Sequence, residues 1–147
     1  MRYALDTEFI DTPTCSALIS LGIVAEDGRE IYLEFDFPQH ELTPWLRTNV
    51  VPYLEGKRKH STGDAEDKLR TFFDGDTAAK VWCYYGAYDW YWFCRIFGGF
   101  MAQPNIFGMR FHELAEIGHP KESGNQHNAL DDARGIMAAL KRDFAPA

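Results

Sequence analysis

The sequence has little cysteine: three residues, Cys15, Cys83 and Cys94, among 147. An odd number without a CxxC pair offers no disulfide framework, and it suits a reducing compartment. Apolar runs long enough to span a bilayer are absent. No charged-then-apolar leader precedes the strand-like segment that begins at Tyr3, so the expectation is a soluble, cytoplasmic protein. Positive charge is scarce, with 15 lysines and arginines against 22 acids and a net charge of −7. This argues against a protein that grips nucleic acid through a broad basic surface. It leaves room for an enzyme that meets phosphate through bound cations, because such a site is acidic without them. Repeats, low-complexity segments and linkers are also lacking, so residues 1–147 are expected to form a single domain.

Apolar residues make up 46% and aromatics 15%, a composition that can bury a sizeable core. "RYALDTEF" reads as a first strand, "ALISLGIVAED" as a second and "GREIYLEFDF" as a third, with "EDG" at 26–28 as the hairpin turn. Thr43 and Pro44 mark the start of a helix over "TPWLRTNVV". "YLEGKRKHSTGD" reads as an exposed loop whose Lys57, Arg58 and Lys59 are solvated charges. "DAEDKLRTFFDG" is a charged amphipathic helix closed by Gly75. A strand over "KVWCYYG", a helix over "DWYWFCRIFGG", a short helix over "RFHELAEIG" and a loop over "HPKESGNQ" follow. "NALDDARGIMAALKRDF" reads as the last helix, capped by Asn128. Strands that cluster early and helices that interleave later predict an α/β domain, a mixed β-sheet with flanking helices.

Asp6 and Glu8 lie two apart on the first strand and so share one side of it. Two carboxylates placed this way repel each other unless a cation lies between them, and hard divalent metals take such oxygen ligands. The bland alternative is an edge strand with one wet face. A second Asp-x-Glu, Asp64 and Glu66, falls at a helix start, where the spacing points the side chains apart. Asp89 sits at a strand-to-helix junction, where an N-cap is the commonest role for Asp. On the last helix Leu130, Ala133, Met137 and Leu140 form the apolar stripe, with Ile136 on its flank. Asp132 falls at the border of that stripe, a candidate inward ligand, whereas Asp131 reads as a surface ion pair with Arg134. His127 lies just before this helix, where it can meet water. Val81, Cys83 and Tyr85 share one strand face, Trp82 and Tyr84 the other, and most of these aromatics belong to packing. Phe9, Tyr85 and Tyr88 flank the acids and could stack on bases, Phe9 foremost. Arg110 reads as a surface ion-pair residue. His112, His119 and His127 lack a zinc-ligand spacing, and the first two read as structural or surface residues.

"DTEF", "YYGAYD" and "HNALDDA" together are similar to the three motifs of the DEDDh-type 3′–5′ exonucleases, the DnaQ-like group with an RNase H-like fold. "MRYALDTEFID", "LISLGIVAEDGREIY", "WLRTNVVPYL" and "VWCYYGAYD" most resemble the RNase AS family of polyadenylate-specific exoribonucleases. The likeness runs through most of the chain and is loosest over 54–79 and 98–124. The resemblance implies that Asp6, Glu8, Asp89 and Asp132 hold two Mg²⁺ or Mn²⁺ ions and that His127 is the general base. Two such ions clamp the attacking and leaving oxygens of a phosphodiester, and an imidazole titrates close to neutral pH. It further implies release of nucleoside 5′-monophosphates from a single-stranded RNA 3′ end, an adenylate preference and a homodimer. A DNA proofreading or short-oligonucleotide exonuclease is the alternative within the same chemistry. A non-catalytic RNA- or nucleotide-binding module is the alternative outside it.

Overall fold

Two apolar runs, Tyr3–Leu5 and Phe9–Ile10, separated by Asp6, Thr7 and Glu8, build β1 (Arg2–Asp11), and Ser16–Ala25 returns antiparallel as β2 after a turn in which Thr12 and Cys15 exchange backbone hydrogen bonds. The computed structural model in which this is seen describes residues 1–56, 58–99, 109–113 and 126–143. β3 (Glu30–Phe35) follows the turn at 26–28, where Gly28 takes a φ of 94° that a side chain would oppose. Short strands β4 (Lys59–His60), β5 (Lys80–Cys83) and β6 (Arg110–Glu113) complete a six-stranded mixed sheet of order β4-β3-β2-β1-β5-β6. β4 runs parallel to β3, and β5 and β6 continue parallel beyond β1. Among the described residues four helices flank this sheet: α1 (Pro44–Asn49), α2 (Thr62–Phe72), α3 (Gly86–Ile96) and α4 (Ala129–Asp143). The arrangement is α/β and consistent with an RNase H-like fold. No helix among the described residues is long and apolar enough to cross a membrane.

The pleat of β1 sorts its residues between two layers. Tyr3 and Leu5 enter the core beneath α2 and α3, with Leu69, Phe73, Phe93 and Ile96. Ala4 enters the core beneath α4, with Ile136, Met137 and Leu140. Both faces of β5 are covered, Val81 and Cys83 by the first cluster and Trp82 and Tyr84 by the second. A third cluster of Ile10, Ile19, Leu42, Leu46 and Val50 seats α1 over the far end of β1 and β2. Fully burying an aliphatic side chain contributes about 1.5–3 kcal/mol, so each cluster is a substantial anchor.

Three expectations need correction. Residues 110–113 are not the start of a helix: they pair in parallel with β5 from Lys80↔Arg110 to Cys83↔Glu113, because β5 offers an open edge that local periodicity does not reveal. The remainder of that segment, the following loop, His119 and Lys57 lie outside the described residues. The stretch 53–64 is not simply a solvated loop, since it contains β4 and the first turn of α2, capped by Ser61. Lys59 is not a solvated charge either. Its Nζ donates to Glu34 Oε2 at 2.7 Å, and Glu34 has a side chain only 2% exposed.

Glu34 is the hub of this corner. It also accepts the backbone N–H of Glu55 at 2.6 Å and the Tyr32 hydroxyl at 3.1 Å. Burial raises its carboxyl pKa, but Lys59 and these donors outweigh that and hold it below its ordinary value of 4.5. A depressed folded-state pKa means stability that is fully present above the unfolded value and lost as pH falls through the folded one. Glu34→Gln is therefore expected to cost about 2 kcal/mol at neutral pH, with the gap closing below about pH 4.5. Urea unfolding of parent and variant at neutral and acidic pH measures both gaps; equal gaps would show that the charge contributes nothing.

Candidate active site

β1 outruns its parallel neighbour. Pairing with β5 stops at Ala4↔Trp82, so the β1 edge beyond it is open. Asp89, in the first turn of α3, fills that edge. Its Oδ1 accepts the Thr7 backbone N–H at 2.9 Å and the Thr7 hydroxyl at 2.6 Å. Asp89 is thus not a cap; Tyr85 occupies the N-cap position without a side-chain bond. The cap comes from β6, where Glu113 Oε1 accepts the Gly86 N–H at 2.8 Å. A Cβ at Gly86 would collide with the Phe111 ring and the Glu113 side chain, so glycine is what lets strand and helix meet here. A carboxylate at a helix N-terminus is favoured by the helix dipole, and it fixes the turn that carries Asp89.

Asp6 and Glu8 point to the other layer, toward α4, and both are buried. Opposite Asp6 stands Gly22. A Cβ there would lie 2.5 Å from backbone atoms of Ala129 and Leu130, so this glycine allows the first turn of α4 to rest directly on the sheet. Asn128 caps that turn, accepting the N–H groups of Leu130 and Asp131 at 3.1 Å, and donates to the Tyr53 carbonyl at 2.8 Å. Asp132 is fully buried and accepts the His127 N–H at 3.0 Å. Asp131 pairs with Arg134 at 2.7 Å, as its place on the helix predicts. His127 itself takes a φ of 70°, a left-handed conformation that few residues other than glycine adopt. Its ring meets Trp45 of α1 edge to face, centroids 4.8 Å apart. A bulge supports this geometry: β2 carries an extra residue, Ile19, between Leu18 and Ser20, and Ile19 anchors the cluster beneath α1.

Asp6, Glu8, Asp89 and His127 line one cleft of about 160 Å³, with Phe9, Tyr85 and Tyr88 on its walls. One ligand atom each from Glu8, His127 and Asp132 lies within 4.8 Å of the others. Three side chains drawn from β1 and α4 thus fit a common cation, and the carboxylates suit a hard divalent one. Tyr85 and Tyr88 are 65% and 55% exposed. Phe9 is half-buried and stacks on Tyr88 at 5.5 Å, so it supports that ring as well as facing the cleft. Asp64 and Glu66 point apart, to His60 and to Arg70, and take no part. His112 stacks on Trp82, a structural role. Thr7, Gly22, Trp45 and Glu113 escaped the reading of the sequence. Only Gly22 carries a local signal, a lone glycine inside a strand, which marks close backbone approach.

Comparison with known proteins supplies the family. A family model described as the 3′–5′ exoribonuclease Rv2179c-like domain matches residues 1–142. The 3′–5′ exoribonuclease Rv2179c of Mycobacterium tuberculosis strain H37Rv is 35% identical over 156 aligned positions, covering 96% of this chain and 92% of that protein. The 3′–5′ exoribonuclease MT2234.1 of strain CDC 1551 matches to the same extent. With its acids and histidine gathered in one cleft and a match across nearly its whole length, the chain belongs to the Rv2179c-like 3′–5′ exoribonuclease domain family.

Proposed function

We propose that this family member is a metal-dependent exonuclease of the DEDDh type that removes nucleoside 5′-monophosphates from the 3′ end of single-stranded RNA. The single observation that carries the reading is the convergence of Glu8, His127 and Asp132 within 4.8 Å, beside the cleft that Asp6 and Asp89 also line. Asp6, Glu8, Asp89 and Asp132 would hold two Mg²⁺ or Mn²⁺ ions. Bound there, such ions supply Lewis acidity and offset the charge that develops on the oxygens of the scissile phosphodiester. His127 takes the proton of the attacking water, its backbone N–H held by Asp132 and its ring met by Trp45. Thr7 holds Asp89 in place through two hydrogen bonds, and Glu113 holds the helix on which Asp89 rides. Phe9, Tyr85 and Tyr88 present the ring surface against which the terminal base rests. An adenylate preference and a homodimer follow from the RNase AS resemblance, and a cytoplasmic location from the cysteine usage; all three belong to the same proposal.

Purified protein with Mg²⁺ is expected to release 5′-AMP from an RNA carrying a 3′ adenylate tail, and to act more weakly on DNA of the same sequence. His127→Ala is expected to lower kcat by about 10²–10⁴-fold, the usual contribution of a positioned general base. Because the four acids remain, the melting shift induced by Mg²⁺ should persist in this variant. Undiminished turnover in His127→Ala would remove His127 from the chemistry, and failure of the parent to release any mononucleotide would defeat the reading.

A further inference from the structure

We infer that the RNA on the 5′ side of the terminal nucleotide leaves the acid cleft along α3, through an aromatic furrow that ends at Arg95. This rests on the exoribonuclease reading above. Three hollows share walls. The acid cleft is small, about 160 Å³, and its neighbour of about 450 Å³ shares Phe9 and Tyr88 with it and is closed by Tyr91 and Trp92. A third hollow of about 690 Å³ shares Trp92 with the second and opens onto Arg95. Helix periodicity explains the alignment: Tyr88, Trp92 and Arg95 stand at i, i+4 and i+7 on α3, along one face. Seven residues of helix span about 10 Å, so the three side chains step away from the acids in order.

The chemistry along this line is that of a site for a flexible single strand. Ring faces accept bases of any identity, and a guanidinium at the end pairs with phosphate. Phe9, Tyr88 and Trp92 already form a packed wall, with centroid separations of 5.5 and 5.9 Å from Phe9; Trp92, only 7% exposed, backs it, and Tyr88 offers the open ring face, which spares an incoming base the cost of ordering them. Asp11 on the rim of the second hollow discourages phosphate in the middle of the furrow and leaves bases as its occupants, whereas Asp36 lines the third hollow together with Arg95. Of the cations in the third hollow, Lys59 is engaged by Glu34 and His60 by Asp64. Arg95 is exposed and makes no ion pair among the described residues, which leaves it for the strand. In a chain of net charge −7, a cation at the end of an aromatic track is a specific feature and not a general basic surface.

The test compares an adenylate dinucleotide with an oligoadenylate of about ten nucleotides, a length that exceeds one small binding fold's minimal site. Arg95→Ala and Tyr91→Ala are each expected to raise KM for the longer RNA by about tenfold, with little change for the dinucleotide. Arg95→Ala should also flatten the dependence of log(kcat/KM) on log salt by about 0.7, the loss of one phosphate contact on a single strand. A merely structural role would lower both substrates together and leave that slope unchanged. Parent-like length dependence and salt slope in both variants would overturn the track alone. If neither RNA is cut by the parent, the exoribonuclease reading falls and takes the track with it. If Arg95→Ala changes sedimentation instead of KM, the furrow holds a second copy of the chain and the RNA track is wrong.

Discussion

Asp6→Asn is expected to lower exonuclease activity by more than about 100-fold, a loss above that usual for groups that merely support metal ligands. The same variant should melt at a higher temperature than the parent in EDTA. Asp6 is buried and lines the same cleft as Glu8 and Asp89, and removing one negative charge from such a group relieves repulsion. In Mg²⁺ the order should reverse. A cation present at 100 times its dissociation constant stabilises the native state by about 2.7 kcal/mol, or roughly 5–10 °C for a chain of this size. Asp6→Asn should forfeit most of that shift. Calorimetry in EDTA and in Mg²⁺, with activity measured in parallel, checks all three parts. A variant that keeps its Mg²⁺-induced shift would mean that Asp6 is not a ligand. A variant that melts lower in EDTA would mean that its carboxylate is a structural support.

Gly22→Ala is the second substitution with a large expected effect, although it adds a single methyl group and alters no charge. The new Cβ would meet main-chain atoms of Ala129 and Leu130 at 2.5 Å, and main chain cannot turn aside as a side chain can. Overpacking of this kind costs about 3 kcal/mol, which lowers the melting temperature by roughly 6–12 °C. Because α4 must lift, His127 and Asp132 move away from Glu8. A misplacement of about 1 Å at a reacting group can lower the rate about 100-fold. Gly63 provides the control: it lies exposed on α2 with open space around it, and Gly63→Ala is expected to leave activity intact and to stabilise by about 0.5–1 kcal/mol. Equal behaviour of the two variants would show that α4 does not depend on close approach at β2.

Much of this architecture can be read without coordinates, and the exceptions have a common cause. β1, β2 and β3 are apolar-rich runs of six to ten residues joined by short turns, so local rules find them. Thr43 and Asn128 announce their helices because a cap acts within one turn. The acids of the cleft are legible for a different reason: singly they read as a wet strand face, a cap and a helix border, and it is the resemblance to the family's three motifs that singles them out. β6 and β4 escape because they are only four and two residues long and owe their conformation to partners far along the chain. Lys59 and Glu34 look like two ordinary surface charges until a separation of 25 residues is folded into a 2.7 Å contact. Thr7 sits between two conspicuous acids, and its role appears only when Asp89 arrives from the opposite layer.

The placement of α4 has a consequence for the life of the protein before it is finished. A ribosome that has made β1 to β3 has already exposed Asp6 and Glu8, yet the partners that complete the set, His127 and Asp132, come more than a hundred residues later and arrive with α4. Until that helix docks over Gly22, the growing polypeptide carries Asp6 and Glu8 without the histidine and aspartate that meet Glu8 in the folded protein. On the proposed reading, degradative capacity is therefore withheld until α4 has been made and has docked.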